Sequence, residues 1–415
     1  MKKAVSLMLA AVIFVTLALP AFAAEGETGA LRFDPDGNFT ILHLTDWHTD
    51  YPLPAVQKQF AVEAIAEAKP DLIVLGGDMS GASKEDYPAA VKEICGLIAD
   101  AQVPFAITFG NHDYEHGIAI DDVFALYKKY GGAYCVSEDD DPALFGCGTC
   151  SLPVYANDGS RVAYNVYCFD SGSEVITDYA AMKKDPSLLP EARFAGARVS
   201  QYDSVHPDQI AWYRAKAAAL KEENGGEYVP SVVFQHIIVQ EIFGAFWREA
   251  KANDSKGLVE FEEKTYKMTA IPRHSRIKDG YLLERPCPGY YNYGQLDAMK
   301  ENGDVRAIFC GHDHSNSFTV EIDGVDIVNT PSVKPHSGFK KIDWGGRIVT
   351  LHEDGSYESR VLAGFELAQK KGSGIIGSGG ISSFEIVFTK IWKAFADASL
   401  RFWKRVKEET YNTDI

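Results

Sequence analysis

The sequence has no excess of positive charge. Its 415 residues include 41 lysines and arginines against 58 aspartates and glutamates, which gives a formal net charge of −17. An acidic protein repels polyanions, so long nucleic acid is an unfavourable partner. A small phosphate-bearing molecule is not excluded, because bound divalent cations can attract it locally.

Long hydrophobic runs are missing beyond the N-terminus. The chain begins with Lys2 and Lys3, continues with an apolar run over residues 4–19, and then has the small-residue stretch Ala21-Phe22-Ala23-Ala24. This order is typical of a secretory signal peptide, which we predict over residues 1–24. An uncleaved anchor is the weaker alternative, since the run is short for a bilayer. We therefore expect a secreted or extracytoplasmic protein, with the cell surface as one such location.

Cysteine is scarce, at seven residues. Cys95 falls in a predicted helix and Cys310 in a predicted buried strand, so both are expected to be core thiols. The four that lie close together in sequence are Cys135, Cys147, Cys150 and Cys168. Export permits disulfides among these four, and a structural disulfide of undetermined connectivity is favoured. A zinc knuckle or a redox pair at the Cys-Gly-Thr-Cys motif is the alternative.

What the sequence does contain is a set of short apolar runs that each end on residue types able to bind metal. Runs of this kind predict buried strands. The five ends read Asp46-Trp47-His48, Gly76-Gly77-Asp78, Gly110-Asn111-His112-Asp113, Gln235-His236 and Gly311-His312-Asp313-His314. Because ligands in open α/β sheets gather outside the carboxyl ends of strands, we expect these side chains to form one site.

Strand and helix patterns alternate through the first part of this region. Strands beginning at Phe39, Leu72 and Phe105 are separated by apolar residues at helical spacing over 54–68 and 87–101. This order predicts a parallel βαβαβ unit. We assign residues 25–364 to one catalytic domain.

The C-terminal segment has a composition of its own. We predict a Gly/Ser-rich linker over 365–382, because it includes the run GSGIIGSGG, and an amphipathic helix over 383–415. The apolar face of this helix consists of Phe384, Phe388, Ile391, Phe395, Ala398, Phe402 and Val406. Lysines and arginines occupy its other face. Either the apolar face docks on the catalytic domain, or it makes peripheral contact with an anionic membrane.

The residue types at the strand ends indicate a particular metal chemistry. Imidazole, carboxylate and amide oxygen suit manganese, iron or zinc, and thiolates are absent from the set. Two divalent ions about 3.5–4 Å apart need a bridging carboxylate and flanking neutral donors. The five motifs together supply both kinds of ligand.

Taken in order, the motifs resemble those of the calcineurin-like metallophosphoesterase family, from Phe39 to about Leu362. The family pattern D-x-H, G-D, G-N-H, H and G-H-x-H is matched at every element. The resemblance implies an α/β (α+β) fold, a four-layer αββα sandwich of two mixed sheets, to which the C-terminal amphipathic helix is added.

The resemblance also implies a ligand set for two divalent ions, of manganese, iron or zinc. One ion would be bound by Asp46, His48, Asp78 and His314. The other would be bound by Asp78, Asn111, His236 and His312, so that Asp78 bridges the pair. His112 would stabilise the transition state or protonate the leaving oxygen, and Asp113 would orient it.

The implied reaction is hydrolysis of a phosphate ester by in-line attack of water that the metals activate. We expect an exported phosphomonoesterase acting on small substrates. One alternative is a phosphodiesterase acting on nucleotides or phospholipid head groups. Another is a non-catalytic surface-binding protein on the same fold.

Within the family, one segment resembles the purple-acid-phosphatase-related branch. It comprises Asp279-Gly280, Glu284, Cys287 and Asn292-Tyr293-Gly294. Purple phosphatases carry Asp-x-Gly in the first motif and a tyrosine three residues after the bridging aspartate. This chain has His48 and Gly81 at those positions, so a tyrosinate–iron colour is not expected.

Overall fold

The structure is a computed structural model that describes residues 29–175, 201–261, 264–269, 272–335, 343–378 and 382–405. The predicted signal peptide, residues 1–24, and the end of the predicted C-terminal helix, residues 406–415, lie outside the described residues. The extracytoplasmic location stays a prediction.

The strands of the described part are β1 Asn38–Leu44, β2 Leu72–Leu75, β3 Phe105–Ile107, β4 Cys150–Tyr155, β5 Val162–Cys168, β6 Ser231–Phe234, β7 Arg248–Glu249, β8 Leu258–Phe261, β9 Lys264–Lys267, β10 Ile277–Asp279, β11 Val305–Cys310, β12 Thr319–Ile322, β13 Val325–Asn329, β14 Gly345–His352 and β15 Tyr357–Ala363. The α-helices are α1 Ala55–Ala68, α2 Tyr87–Ala101, α3 Ile120–Gly131, α4 Pro207–Glu223, α5 Ile242–Phe246, α6 Gln295–Asn302, α7 Gly364–Leu367 and α8 Ser383–Trp403. Short 3₁₀ helices cover Asn111–Tyr114, Gly132–Tyr134 and His274–Arg276.

The first sheet has five strands in the order β15-β14-β1-β2-β3. β1, β2 and β3 are parallel, with α1 and α2 as the crossovers between them. Helix α1 ends where Lys69 takes a left-handed conformation, and Pro70 follows and cannot continue the helix. The predicted βαβαβ unit is confirmed, and β14 and β15 extend it with antiparallel pairing.

The second sheet has seven strands in the order β10-β12-β13-β11-β6-β5-β4. Its four central strands, β13, β11, β6 and β5, are parallel, and antiparallel strands complete both edges. A small separate sheet has the order β7-β9-β8. Both large sheets are therefore mixed, as predicted.

Three hydrophobic cores separate four layers. The central core lies between the two sheets and contains Ile41 and Val74 from the first sheet and Val166, Val232 and Phe309 from the second. A second core joins the other face of the first sheet to α1 and α2. A third joins the other face of the second sheet to α4, α5 and α6. This is the predicted αββα sandwich, and covering both faces explains why the parallel strands are continuously apolar.

The predicted disulfide is wrong for this structure, in which all seven cysteines are free thiols. Cys150 and Cys168 are directly opposite each other on the antiparallel strands β4 and β5. Both are fully buried, as are Cys95 and Cys310. All of the cysteines except Cys287 are small apolar residues of the cores, a role that their spacing in the sequence does not distinguish from pairing.

The segment after β15 is packed, whereas the sequence predicts a flexible linker over 365–382. Phe365, Leu367 and Ile375 are buried in the core beneath the first sheet. The amide of Gly374 donates to Glu63 Oε1 of α1 at 2.6 Å. Three apolar side chains within a Gly/Ser-rich composition are enough to dock residues 365–378.

Candidate metal centre

The five predicted motifs meet at one edge of the sandwich. Asp46 and His48 follow β1, Asp78 follows β2, and Asn111 begins the 3₁₀ helix after β3. The second sheet contributes His236 after β6, and His312 and His314 after β11. Because the strands that carry them are parallel, their carboxyl ends lie together.

The backbone at these loops takes conformations that ordinary residues rarely adopt. The residues of the set with positive φ are Asp46 at 54°, His48 at 39°, Asp78 at 52° and His312 at 69°. Three other non-glycine residues in the described ranges share this property, and they end α1, end α2 or form the turn between β12 and β13. Strain that concentrates in this way marks a site whose surroundings fix the backbone.

Two glycines of the motifs are required by close approach to the aspartates. A Cβ on Gly110 would lie 2.3 Å from Asp78 Oδ1, and one on Gly311 would lie 2.6 Å from Asp46 Oδ2. Any larger residue would displace these carboxylates. The motif glycines therefore let neighbouring loops pack directly against the acidic groups.

Each of the two aspartates has one oxygen held by hydrogen bonds and the other directed at histidines. Asp46 Oδ2 accepts from Thr45 Oγ1 at 2.7 Å and from the amide of His312 at 3.0 Å. Asp78 Oδ1 accepts from the amide of His112 at 2.8 Å. The carboxylates are thus fixed in orientation before any ligand binds.

The second oxygens lie among the imidazole rings. Asp46 Oδ1 is 3.2 Å from Nε2 of His314, 3.8 Å from that of His48 and 3.9 Å from that of His236. Asp78 Oδ2 is 3.2 Å from Nε2 of His236 and 3.5 Å from that of His48. Nε2 of His48 is 2.9 Å from Nε2 of His314.

Two overlapping groups of ligand atoms result, and they share one residue. The first contains Asp46, His48, Asp78 and His314, and the second contains Asp78, His236 and His312, with the ligand atoms of each group within 4.8 Å of one another. Both groups include Asp78, which the sequence analysis expects to bridge.

Buried polar atoms at this point have no hydrogen-bond partner among the described residues: Asp46 Oδ1, Asp78 Oδ2, Asn111 Oδ1 and His236 Nε2. Leaving such atoms unsatisfied is costly, about 1–3 kcal/mol each. His236 Nδ1 is instead paired with the carbonyl of Gly76 at 2.8 Å, so Nδ1 donates and Nε2 is free to bind a cation. The residues present therefore fit a pair of divalent ions.

Electrostatics within the cluster favour the charged form of His236 and the neutral form of His312. Burial opposes protonation of His236, but the charges of Asp78 and Asp46 raise its pKa to about 10. Burial also acts to raise the pKa of Asp46, yet the charge of His236 and the contact with His314 at 3.2 Å hold that pKa well below its ordinary value. For His312, burial followed by the charge of His236 lowers the pKa to about 3. Neutral imidazole is the form that binds metal.

His112 is placed at the rim of the centre. Its ring lies edge-on to that of His48, with centroids 5.0 Å apart, and its side chain is 42% exposed. Nδ1 of His112 is 2.6 Å from Oε2 of Glu115. Because a carboxylate can only accept, Nδ1 donates and Nε2 remains for another partner.

Asp113 differs from its predicted role of orienting His112. Its carboxylate accepts from the amides of Asp78 at 2.8 Å and Gly110 at 2.9 Å, and from the hydroxyl of Tyr87 at 3.0 Å. Asp113 is fully buried beneath the two loops that carry Asp78 and Asn111. It ties these loops together, and Glu115 is the residue that contacts the His112 ring.

Sequence reasoning missed three residues at the site. Glu115 contacts His112, Tyr202 lies against His312 with ring centroids 4.1 Å apart, and Lys334 donates from Nζ to the carbonyl of His48 at 3.3 Å. Lys334 lies in the loop after β13, a strand parallel to β11. That position at the same edge of the sheet is the signal that could have found it.

A family model for calcineurin-like phosphoesterases matches residues 39–316. The chain belongs to the calcineurin-like phosphoesterase family. The resemblance that the motifs suggested is confirmed, and the phosphoesterase family makes it a protein of the hydrolase kind with a candidate binuclear centre.

Known proteins that are similar include two from Arabidopsis thaliana. "Probable inactive purple acid phosphatase 14" is 24% identical over 77% of this chain and 76% of its own length. "Probable inactive purple acid phosphatase 29" is also 24% identical, over 80% of both chains. The purple-acid-phosphatase-related branch is confirmed.

A relative that matches over a shorter stretch and a solved structure are also similar to this chain. A "Probable cyclic nucleotide phosphodiesterase" of Psychrobacter arcticus is 33% identical over 19% of this chain and 33% of its own length. The crystal structure of a dimetal phosphatase from Danio rerio has a TM-score of 0.47 at 12% identity, covering 76% of this chain and 93% of that one.

Proposed function

We propose that the protein is a phosphoesterase that hydrolyses small phosphate monoesters with two divalent ions at this centre. The observation that carries the proposal is the position of Asp78 Oδ2. It has no hydrogen-bond partner among the described residues, and it lies within 3.5 Å of both His48 and His236, which belong to the two separate ligand groups.

The proposed ligands are those the sequence analysis names. Asp46, His48, Asp78 and His314 would hold one ion. Asp78, Asn111, His236 and His312 would hold the other. Divalent ions, when bound, supply charge that neutralises the phosphoryl oxygens and lowers the pKa of water towards about 7.

The proposed acid is His112. Glu115 fixes its Nδ1, which leaves Nε2 on the ring that packs edge-on to His48. A proton held at Nε2 would pass to the leaving oxygen as the ester bond to phosphorus breaks. The partial exposure of the ring allows the alcohol product to leave into solvent.

Lys334 supports a preference for monoesters. Its ammonium group lies on the carbonyl of His48 at the edge of the centre. A monoester dianion carries one more negative charge than a diester, so a cation at this position favours the monoester. The diesterase alternative, which the name of the Psychrobacter relative suggests, is the second candidate.

A non-catalytic role is favoured by one observation, the word "inactive" in the names of the two Arabidopsis relatives. Against it stand the complete ligand set and the placement of His112. A protein that only binds phosphate would need the ligand groups but not the His112–Glu115 pair.

The experiment that tests the proposal compares two substrates after reconstitution with Mn²⁺, Fe²⁺ or Zn²⁺. We expect turnover of p-nitrophenyl phosphate, with a kcat/KM above that for bis-p-nitrophenyl phosphate. The reverse order would favour the diesterase. Metal-loaded protein that turns over neither ester, nor any other ester of a broad panel, would contradict the proposal and favour a binding protein.

A further inference from the structure

Helix α8 contacts the catalytic domain through one side. The residues on that side are Ile386, Thr389, Lys393, Asp397 and Leu400, which fall together at about 100° per residue. Lys393 Nζ donates to the hydroxyl of Tyr281 at 3.2 Å and lies 3.7 Å from Asp343 Oδ1. Asp397 accepts from the same hydroxyl. The contact combines polar pairs with two apolar side chains, Ile386 in the core of the first sheet and Leu400 against that of the second.

The apolar side of α8 lies largely outside the contact with the domain, and only Phe395 at its edge borders a groove that Leu282 and Leu283 also line. This apolar side consists of Phe384, Val387, Phe388, Ile391, Phe395 and Phe402, which we call the apolar stripe. The exposed fraction of each of these residues lies between 50% and 76%. Docking of the apolar face, one of the two interpretations of the sequence, would have required these residues to be buried.

The exposure is concentrated rather than scattered. Of ten large apolar residues exposed in the described part of the chain, six belong to the apolar stripe. Neighbouring aromatic rings along the helix are in contact. The ring centroids are 6.2 Å apart for Phe384 and Phe388, and 5.9 Å apart for Phe388 and the adjacent Trp392. Contiguous exposed aromatics of this kind mark an interaction surface.

The charge of the residues around the apolar stripe indicates which kind of surface it would contact. Residues 383–405 carry five basic side chains, Lys390, Lys393, Arg401, Lys404 and Arg405, against two acidic ones. Lys393 and Asp397 both contact Tyr281, which leaves four basic side chains against one acidic side chain, Glu385. The whole chain has a net charge of −17, so α8 is a basic element on an acidic protein. Such an element attracts an anionic surface.

The arrangement favours a lipid surface lying along the helix. No helix of the described ranges is both long and apolar enough to pass through a bilayer. A helix with an aromatic face, flanking tryptophans and basic residues lies in the plane of the interface. Pairing of two stripes from two copies would instead bring together two helices of like positive charge.

We propose that α8 docks the protein on anionic lipid membranes, with the apolar stripe inserted among the head groups. Tyr281 and Asp343 hold the helix to the domain through its opposite side, so the stripe can enter the lipid without releasing the helix. The proposal is independent of whether the metal centre is catalytic.

The test uses the full chain and measures co-sedimentation with phosphatidylcholine vesicles that contain about one-third phosphatidylglycerol. The variant is Phe388→Ser with Phe402→Ser, and the matched control is Val62→Ser, an exposed apolar residue on α1. We expect the double variant to bind at least about tenfold more weakly and the control to bind like wild type. All three should unfold at similar temperatures, because the changed residues are exposed.

Salt and lipid charge supply the second readout. Binding of the wild type should fall as salt is added, and should be weaker on vesicles of phosphatidylcholine alone. Equal binding of wild type and double variant would overturn the proposal. So would a wild-type dimer that the double variant dissociates, without vesicle binding, because the stripe would then be a contact between copies.

Discussion

At the scale of single residues, the same residue type has different roles because its neighbours differ. Asp78 and Asp113 are both buried aspartates at strand ends. Asp113 has its oxygens occupied by the amides of Asp78 and Gly110 and by Tyr87, whereas Asp78 keeps one oxygen without a hydrogen bond. The sequence motifs predict which loops meet. The sequence alone cannot assign the hydrogen bonds that separate a metal ligand from a residue that ties two loops.

Replacing His112 by alanine tests the proposed acid. We expect kcat for p-nitrophenyl phosphate to fall by about 10²–10⁴, because a positioned general acid contributes about that much. Metal content should not change, since the ring lies at the rim. Glu115→Gln, which keeps a side chain that can accept from Nδ1, should reduce kcat less. A His112→Ala variant with wild-type turnover would refute the role.

Lys334→Ala tests the preference for a dianion. We expect KM for p-nitrophenyl phosphate to rise by about fivefold, because a single nearby charge contributes on the order of 1 kcal/mol at a partly exposed site. KM for the diester should change less. Lys267→Ala is the matched control, because Lys267 also donates to a backbone carbonyl, that of Lys256, in the small sheet. If Lys334→Ala and Lys267→Ala changed KM equally, a contact between Lys334 and the substrate would be excluded.

At the scale of elements, short apolar runs predict the secondary structure of this chain better than composition does. The strands that end at Asp46, Asp78 and Asn111 were predictable because continuous apolar runs have few alternatives to a buried strand. The docking of residues 365–378 was not, because Phe365, Leu367 and Ile375 are too few to give a periodic pattern. The direction in which the apolar stripe faces was not predictable either. It depends on the side of α8 that contacts Tyr281 and Asp343, and this tertiary contact leaves no pattern in the sequence.

Ile375→Ala tests whether the segment after β15 is part of the domain. Ile375 is fully buried, so we expect the free energy of unfolding to fall by about 2–5 kcal/mol. Its neighbour Ile376 is 37% exposed, and Ile376→Ala should change that free energy by less than about 0.5 kcal/mol. Urea unfolding measures both. Similar small effects would show that the segment is a flexible linker after all.

At the scale of the whole molecule, a strongly acidic protein buries two carboxylates among histidines at the junction of its two sheets. Without metal, the raised pKa of His236 stabilises the fold below about pH 6.5, and that contribution is lost as pH rises through about 10. The lowered pKa values of Asp46 and Asp78 add stability at neutral pH that is lost in acid. Without metal, the charges of Asp78 and Asp46 therefore favour the protonated form of His236.

Metal binding should therefore release a proton near neutral pH. We expect titration of metal-free protein with Mn²⁺ at pH 7 to release about one proton from His236, and the apparent affinity to increase with pH. Calorimetry in buffers of different ionisation enthalpy measures the number released. Binding with no proton release, at an affinity independent of pH, would contradict the assignment of His236 as a ligand.

The most direct test of the account is the metal content of reconstituted protein, measured with and without the shared carboxylate. Wild type should hold about two divalent ions per chain, and Asp78→Asn should lose both ions at metal concentrations that saturate the wild type. Asp304→Asn is the control, because Asp304 is equally buried but hydrogen-bonded to Tyr213 on another part of the fold. It should retain both ions. Wild-type protein that binds no divalent ion, or Asp78→Asn that binds as many as wild type, would contradict the central claim that two cations share Asp78.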